Sequence, residues 1–209
     1  MTSDVAARVA QQTLAGRGAA YTDEVRRLLD AALEVMRQRG TGSRPRVADI
    51  VAAAGLSNDA FYRHFPSKDA LVAALLEDGT ERLRSYLAHQ MDKQRTPESK
   101  IRRWVRGVFD QAQADVGEAT RAALFNAAGA PDGRASGRHP ASGVLADLLH
   151  EPFAALGSAH PELDASLCAH AVLGRLADHL WERTQPSVAE ISHIGDVWVG
   201  VAKAARSAR

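Results

Sequence analysis

Apolar side chains recur along this chain three and four positions apart, and nowhere do they alternate with polar ones in the two-residue rhythm of a half-buried strand. With abundant Ala and Leu and few β-branched runs, that pattern predicts an all-helical (all-α) protein. Residues 1–21 read as a loosely structured arm, with at most a helical piece over 4–14 before Gly16 and Gly18. Thr22 then stands where an N-cap belongs. Asp23 and Glu24 follow in a first turn whose dipole favours acids. Val25, Leu28, Leu29, Ala32, Val35 and Met36 form the buried stripe of that helix, and Gly40 ends it. Ser67 caps a long helix over 68–93 that faces Leu71, Leu75, Leu83, Leu87 and Met91 inward and carries Gly79 at a cost of about 1 kcal/mol against Ala. Pro97 opens a helix with Ile101, Trp104, Val105, Val108 and Phe109. Further helices are expected over 118–128, 144–156, 163–182 and 188–205. A Gly-, Pro- and Ser-rich flexible loop over 129–143 and breaks at 157–161 and 184–186 separate them. No internal repeat is present.

The most informative stretch, residues 47–71, lies between the first helix and the long one. Val47, Ile50, Val51 and Ala54 share one helical stripe, and Gly55 stands where a left-handed C-cap is needed. Leu56 packs back under the turn. Ser57 caps a second helix of about two turns, which Pro66 stops. A helix so short stabilises little by itself, so its outward face calls for an explanation. A helix-turn-helix of this shape presents its second helix to the DNA major groove. By that geometry Asn58, Asp59 and Arg63 are the candidates for base edges. Arg63 suits a bidentate pair with guanine and Asn58 one with adenine. Asp59 either accepts from a cytosine amino group or merely serves the helix dipole. The second role is preferred, because phosphates repel a carboxylate.

Ile50, Ala53, Ala54, Gly55, Leu56 and Ser57, then Ala60, Phe61, Tyr62, His64 and Phe65, then Ser67, Lys68, Asp69 and Leu71 stand at the spacing of a known motif. Over these residues, about the first third of the chain, the sequence resembles the TetR family of one-component transcriptional repressors. Asp59 departs from the family's common Gly, which bears on base contacts and not on fold. The resemblance implies an N-terminal DNA-binding head over 1–67 and a C-terminal helical body over 68–209 that binds a ligand and dimerises. It also carries phosphate-backbone contacts over to Tyr62, His64 and Lys68. Tyr62 can equally lay its ring on the head's small core with the hydroxyl in solvent, and His64 can equally be a surface histidine without a partner. Lys68 at a helix N-terminus opposes the dipole unless a phosphate lies across it. Arg44 and Arg46 precede the motif and either grip the neighbouring backbone or sit solvated. Arg8 and Arg17 in the arm are candidates for a minor groove. The expected DNA-binding set is Arg46, Ser57, Asn58, Asp59, Ala60, Tyr62, Arg63, His64 and Lys68.

Composition narrows the remaining classes. The 209 residues are 45% hydrophobic and 24% charged, ordinary for a globular chain and enough for a real core. No apolar run approaches the ~20 residues that span a bilayer, and the N-terminus lacks a signal-peptide core, so no membrane partner is expected. One cysteine, Cys168, permits no internal disulfide and suits a reducing cytoplasm. The net charge of +1 divides unevenly: residues 1–68 hold ten Arg/Lys against seven Asp/Glu, while 69–209 hold sixteen against eighteen. A slightly basic head is weak support for phosphate contact at that end.

The body carries no G-x-S-x-G, H-E-x-x-H or G-x-G-x-x-G, so neither an enzyme nor a cofactor is expected. Cys168 falls on an apolar position, where an inert buried thiol is the better reading. No two histidines among 150, 160, 170, 179 and 193 share a helix at metal-binding spacing, so no metal is expected. Trp104, Phe109, Phe125, Phe153 and Trp181, with Gln111, Asn126 and His170, suit either plain core packing or an apolar effector pocket. The family resemblance favours the pocket.

The helices over 163–182 and 188–205 carry more apolar surface than one body hides: Leu167, Ala171, Gly174, Leu176 and Leu180, then Ile191, Ile194, Val197, Trp198 and Val201. With Gly174, Gly195 and Gly200 allowing close approach, they are expected to pair about a two-fold axis as a homodimer. The whole reads as a ligand-responsive repressor on a palindromic double-stranded DNA operator, with a small, largely apolar effector. The alternatives are a helical interaction or ligand-binding module that has lost DNA, and a small helical enzyme.

Overall fold

The computed structural model describes residues 3–127 and 141–207, and every regular element among them is helical. α1 runs unbroken over Ser3–Arg39, so there is no arm followed by a cap at Thr22. Thr22 lies inside the helix and its hydroxyl donates to the Gly18 carbonyl at 2.9 Å, four residues back. Each interior glycine costs about 1 kcal/mol against Ala, which a helix of 37 residues absorbs. Gly40, at φ +56°, ends it as expected.

α2 (Val47–Ala54) and α3 (Asn58–His64) form the two-helix motif. Gly55 takes the left-handed conformation at φ 64°, and the Leu56 N–H reaches the Val51 carbonyl at 2.9 Å while the Gly55 N–H reaches Ala52. Those two bonds satisfy orphan carbonyls at the helix end. Ser57 accepts from the Ala60 N–H at 3.1 Å, and Ser67 does the same for Ala70 at the start of α4 (Lys68–Asp92). Leu28, Ala32 and Met36 of α1, Ile50 and Val51 of α2, Phe61 of α3, and Leu71, Val72 and Leu75 of α4 pack into one buried cluster.

α5 (Pro97–Phe109) begins with Thr96 accepting from the Ser99 N–H, and a short 3-10 turn over Asp110–Ala112 leads to α6 (Ala114–Ala127). α6 starts earlier than 118 and crosses the junction between head and body. Its Ala122 and Ala123 are buried in the head cluster. Most of the expected flexible loop over 129–143 lies outside the described residues, but Ala141, Ser142 and Gly143 already belong to α7 (Ala141–Ala146). The expected helix over 144–156 is interrupted by a 3-10 turn at Asp147–Leu149 before α8 (His150–Leu156). Pro152 accounts for the break: it has no N–H to give the carbonyl four residues back, and its ring crowds that turn.

α9 (Pro161–Glu182) and α10 (Val188–Ser207) complete the body. The body core joins Leu87 and Met91 of α4 to Trp104, Phe109, Phe153, Cys168, Val172, Leu176 and Leu180. α4 and α5 approach closely at Gly107, where a Cβ would lie 2.5 Å from a Leu87 methyl. No described helix is long and apolar enough to cross a membrane.

Candidate nucleic-acid interface

α3 divides cleanly into two faces. Ala60 and Phe61 are buried, and Phe61 stacks at a tilt on Phe65 with ring centroids 5.9 Å apart. That packing anchors the helix edgewise on the head. Asn58, Asp59, Tyr62 and Arg63 face solvent, with Tyr62 58% exposed. The Tyr62 ring also meets Phe61 edge-on at 5.2 Å, so an apolar body rests on the core while the hydroxyl stays free. The ring thus packs on the head as one reading of Tyr62 expects, and the residue is left exposed enough for the other.

Two residues of the expected DNA set face the wrong way. Ala60 is buried, on the face that Phe61 turns to the head. The His64 side chain is only 1% exposed, and its Nε2 lies 2.6 Å from Glu24 Oε2 on α1. The Tyr21 ring covers it edge-on at 4.2 Å, and Nδ1 has no partner. His64 is thus neither a backbone contact nor a free surface histidine: it ties α3 to α1.

Glu24 has a second use. The hydrogen bond from His64 does most to hold its carboxyl below the usual carboxylate range; burial opposes this, and the charges of Arg63 and Arg27 add to the lowering. Arg63 Nη2 is 4.0 Å from the same carboxylate, close enough to bias the guanidinium while leaving most of it exposed.

Around the motif, Arg27 of α1 closes the end of α2 by donating to the Ala54 carbonyl at 2.6 and 3.2 Å and to Gly55 at 3.2 Å. The Arg46 N–H donates to the Asp49 carboxylate, which also pairs with Arg39 at 2.9 Å, so the turn into α2 is held from two sides. The Arg46 side chain itself is exposed. Arg44 departs from the expected loop cation: its guanidinium lies 5.8 Å over the Phe125 ring of α6. Lys68 is half-buried at the start of α4 and has no ion-pair partner among the described residues.

The pocket candidates scatter. Trp104, Phe109 and Phe153 are buried in the body core, and the Trp104 indole N–H donates to the Leu145 carbonyl at 3.1 Å. Phe125 is at the head–body junction under Arg44. Trp181 is 49% exposed on the outside of α9. His170 is also exposed, with Nδ1 2.7 Å from the Ser166 carbonyl and Nε2 3.2 Å from Ser142 Oγ. These side chains do not converge on one cavity. Aromatic side chains on several amphipathic helices fill a core first. Burial pushes the Cys168 thiol up, out of reach of thiolate chemistry. Among the described residues no three His, Cys, Asp or Glu side chains cluster as metal ligands do.

On the expected dimer face, Leu176 and Leu180 belong to the protomer's own core, and Gly195 lies against Arg102 of α5. What remains outside is Leu163, Leu167 and Trp181 of α9 with Val188, Val197 and Val201 of α10. Gly174 and Gly200 beside them have open space above the backbone.

Residues 28–75 match the family model described as bacterial regulatory proteins, tetR family. No curated protein matches the sequence. Solved structures do match its fold. A transcriptional regulator from Pseudomonas aeruginosa PAO1 superposes with a TM-score of 0.68 at 21% identity, covering 88% of this chain and 92% of its own. A TetR-family regulator from Mesorhizobium loti MAFF303099 gives 0.64 at 18% identity, covering 87% and 96%. Another from Pectobacterium atrosepticum gives 0.59 at 22%, covering 91% and 93%. Residues 28–75 are thus similar to the N-terminal domain of the tetR family, and the described chain shares its overall fold with these solved structures.

Proposed function

We propose that this chain is a homodimeric, ligand-responsive transcriptional repressor that reads a palindromic operator in duplex DNA. One observation carries the reading. α3 is pinned by Phe61 on one side and leaves Asn58, Asp59, Tyr62 and Arg63 free on the other. In this assignment Arg63 and Asn58 read base edges, while Arg46, Tyr62 and Lys68 grip the backbone. Ser57 contributes by capping α3, and Asp59 by its favourable place at the helix N-terminus. Residues 1–67 form the DNA-reading part and 68–209 the sensing and pairing part.

Dimerisation runs through the outward apolar stripes of α9 and α10 about a two-fold axis. Twin heads spaced by about 34–36 Å then meet successive major grooves. A small effector favours a body conformation in which the heads no longer fit that spacing, and it must prefer that state by a few kcal/mol. The protein acts in the cytoplasm and is not an enzyme. Selection of bound sequences from random duplex DNA by the purified full chain tests the reading. A palindrome with half-sites about one helical turn apart supports it, and failure to retain any duplex in dilute buffer overturns it.

A further inference from the structure

A shallow open cleft of about 180 Å³ lies between the first turns of α6 and the end of α9 with the chain that follows, lined by Gly117, Glu118, Arg121, His179, Leu180 and Arg183 among others. It adjoins a recess of about 110 Å³ walled by Phe109, Pro186 and Ile191 with Asp110 and Gln113, and Ala112 and Gln185 line both. Together they have room for a small ligand at the lower edge of the size range of small-molecule sites, with Arg121, Arg183 and Glu118 at one end and a mixed polar and apolar wall at the other.

The charged end is unbalanced. Arg121 is 3% exposed, and no other arginine among the described residues is buried. It donates from Nη2 to Glu118, while its Nε is buried without a partner. Arg183 stands opposite at φ 57°, and among the described residues it alone has a positive φ without being glycine. Such strain persists only where the surroundings enforce it. Here Thr184 does so: its N–H donates to the His179 carbonyl at 3.0 Å and its hydroxyl lies 2.7 Å from His179 Nδ1. Arg183 Nε is 3.8 Å from Glu118 Oε1, beyond a hydrogen bond. Two guanidiniums therefore share one carboxylate, which sits on a half-exposed side chain free to swing outward. The other acids nearby are engaged elsewhere. Glu190 takes Arg175 and His179, and Asp110 takes the Tyr86 hydroxyl and faces Arg103.

We propose that this cleft binds an organic carboxylate, whose charged end replaces Glu118 between Arg121 and Arg183 and whose apolar part lies toward Phe109, Pro186 and Ile191. This gives a chemical class to the effector of the regulator proposed above and rests on that reading for its biological role, though not for binding itself. Guanidinium forks match a carboxylate bidentately, and a ligand that reaches the unpartnered Arg121 Nε gains a bond that Glu118 leaves unmade.

The test uses the full chain with 4-phenylbutyrate and its neutral amide as probes, by thermal melting and calorimetric titration. The acid raises the melting temperature and the amide does not. Arg183→Gln, at an exposed position that leaves the core intact, weakens the acid by about tenfold. Glu118→Gln removes the internal competitor and tightens it about threefold. No shift with the acid at about 10 mM, equal shifts with acid and amide, or weaker binding by Glu118→Gln overturns the site. Operator selection is read separately. A chain that retains a palindrome but ignores the acid loses only the cleft assignment. One that binds the acid with these mutational effects yet ignores DNA keeps the site and loses the regulator reading.

Discussion

Gly55→Ala isolates the turn that aims α3. At φ 64° an alanine pays about 1–2 kcal/mol for its Cβ in the left-handed region. That Cβ would also stand 3.1 Å from Arg27 Nη2, which makes the 2.6 Å bond to the Ala54 carbonyl. Displacing this partly exposed cation costs about 0.5–1 kcal/mol after screening. Against both, alanine lowers the entropy of the unfolded chain by about 0.4–1 kcal/mol. The net is a destabilisation of about 1–2 kcal/mol, or roughly 2–8 °C for a chain of this size. The assay is thermal melting by circular dichroism, paired with affinity for the selected operator. Gly55→Asn is the control, since asparagine tolerates this backbone and should lose about half as much. DNA affinity should fall with Gly55→Ala by more than the unfolded fraction explains, because the angle between α2 and α3 changes. A Gly55→Ala protein as stable as the parent, or one no worse than Gly55→Asn, would refute the reasoning.

Tyr62→Ala and Lys68→Ala are expected to weaken binding to all duplexes and to lower the salt slope, by about one unit for the lysine. Arg63→Ala and Asn58→Ala should also change which bases are chosen; unaltered selection profiles would remove them from the reading edge. Glu24 has a folded pKa below its ordinary 4.5, so its contribution is complete above 4.5 and is lost as pH falls through the lower folded value. Glu24→Gln should therefore be less stable than the parent near neutrality and lose less than it does under acid melting, and parallel acid limbs would contradict the His64 tie. Val197→Asp places a charge on the outward stripe of α10 and should give a monomer in light scattering with the helical content retained.

Local chemistry was legible where neighbours in sequence decide the outcome. Gly55, Ser57, Ser67 and Pro97 each mark a helix end by a backbone requirement, and each stands where that requirement places it. The same local logic misled at Thr22, a good cap residue whose hydroxyl instead bonds back to Gly18 within a helix that continued. Pro152 carries a local break signal, masked by the apolar run in which it lies. His64 was beyond local reasoning, because its partner Glu24 is forty residues away and only the packing of α3 on α1 joins them. Trp181 and Leu176 illustrate the same limit on α9. Both fit an apolar stripe, and only the position of the neighbouring helices decides that one faces out and the other in.

α4 belongs to both cores, through Leu71 near its start and Leu87 sixteen residues later, a separation of about 24 Å. Midway stands Gly79, exposed and with nothing near enough to brace it. The molecule's shared spine is thus clamped at both ends and slack at its centre. A displacement at the Leu87–Gly107 contact has two fates: it reaches the end that carries α3 as a rigid tilt, or it is spent as a bend at Gly79. How stiff that single residue leaves the rod decides how faithfully one half of the protein hears the other.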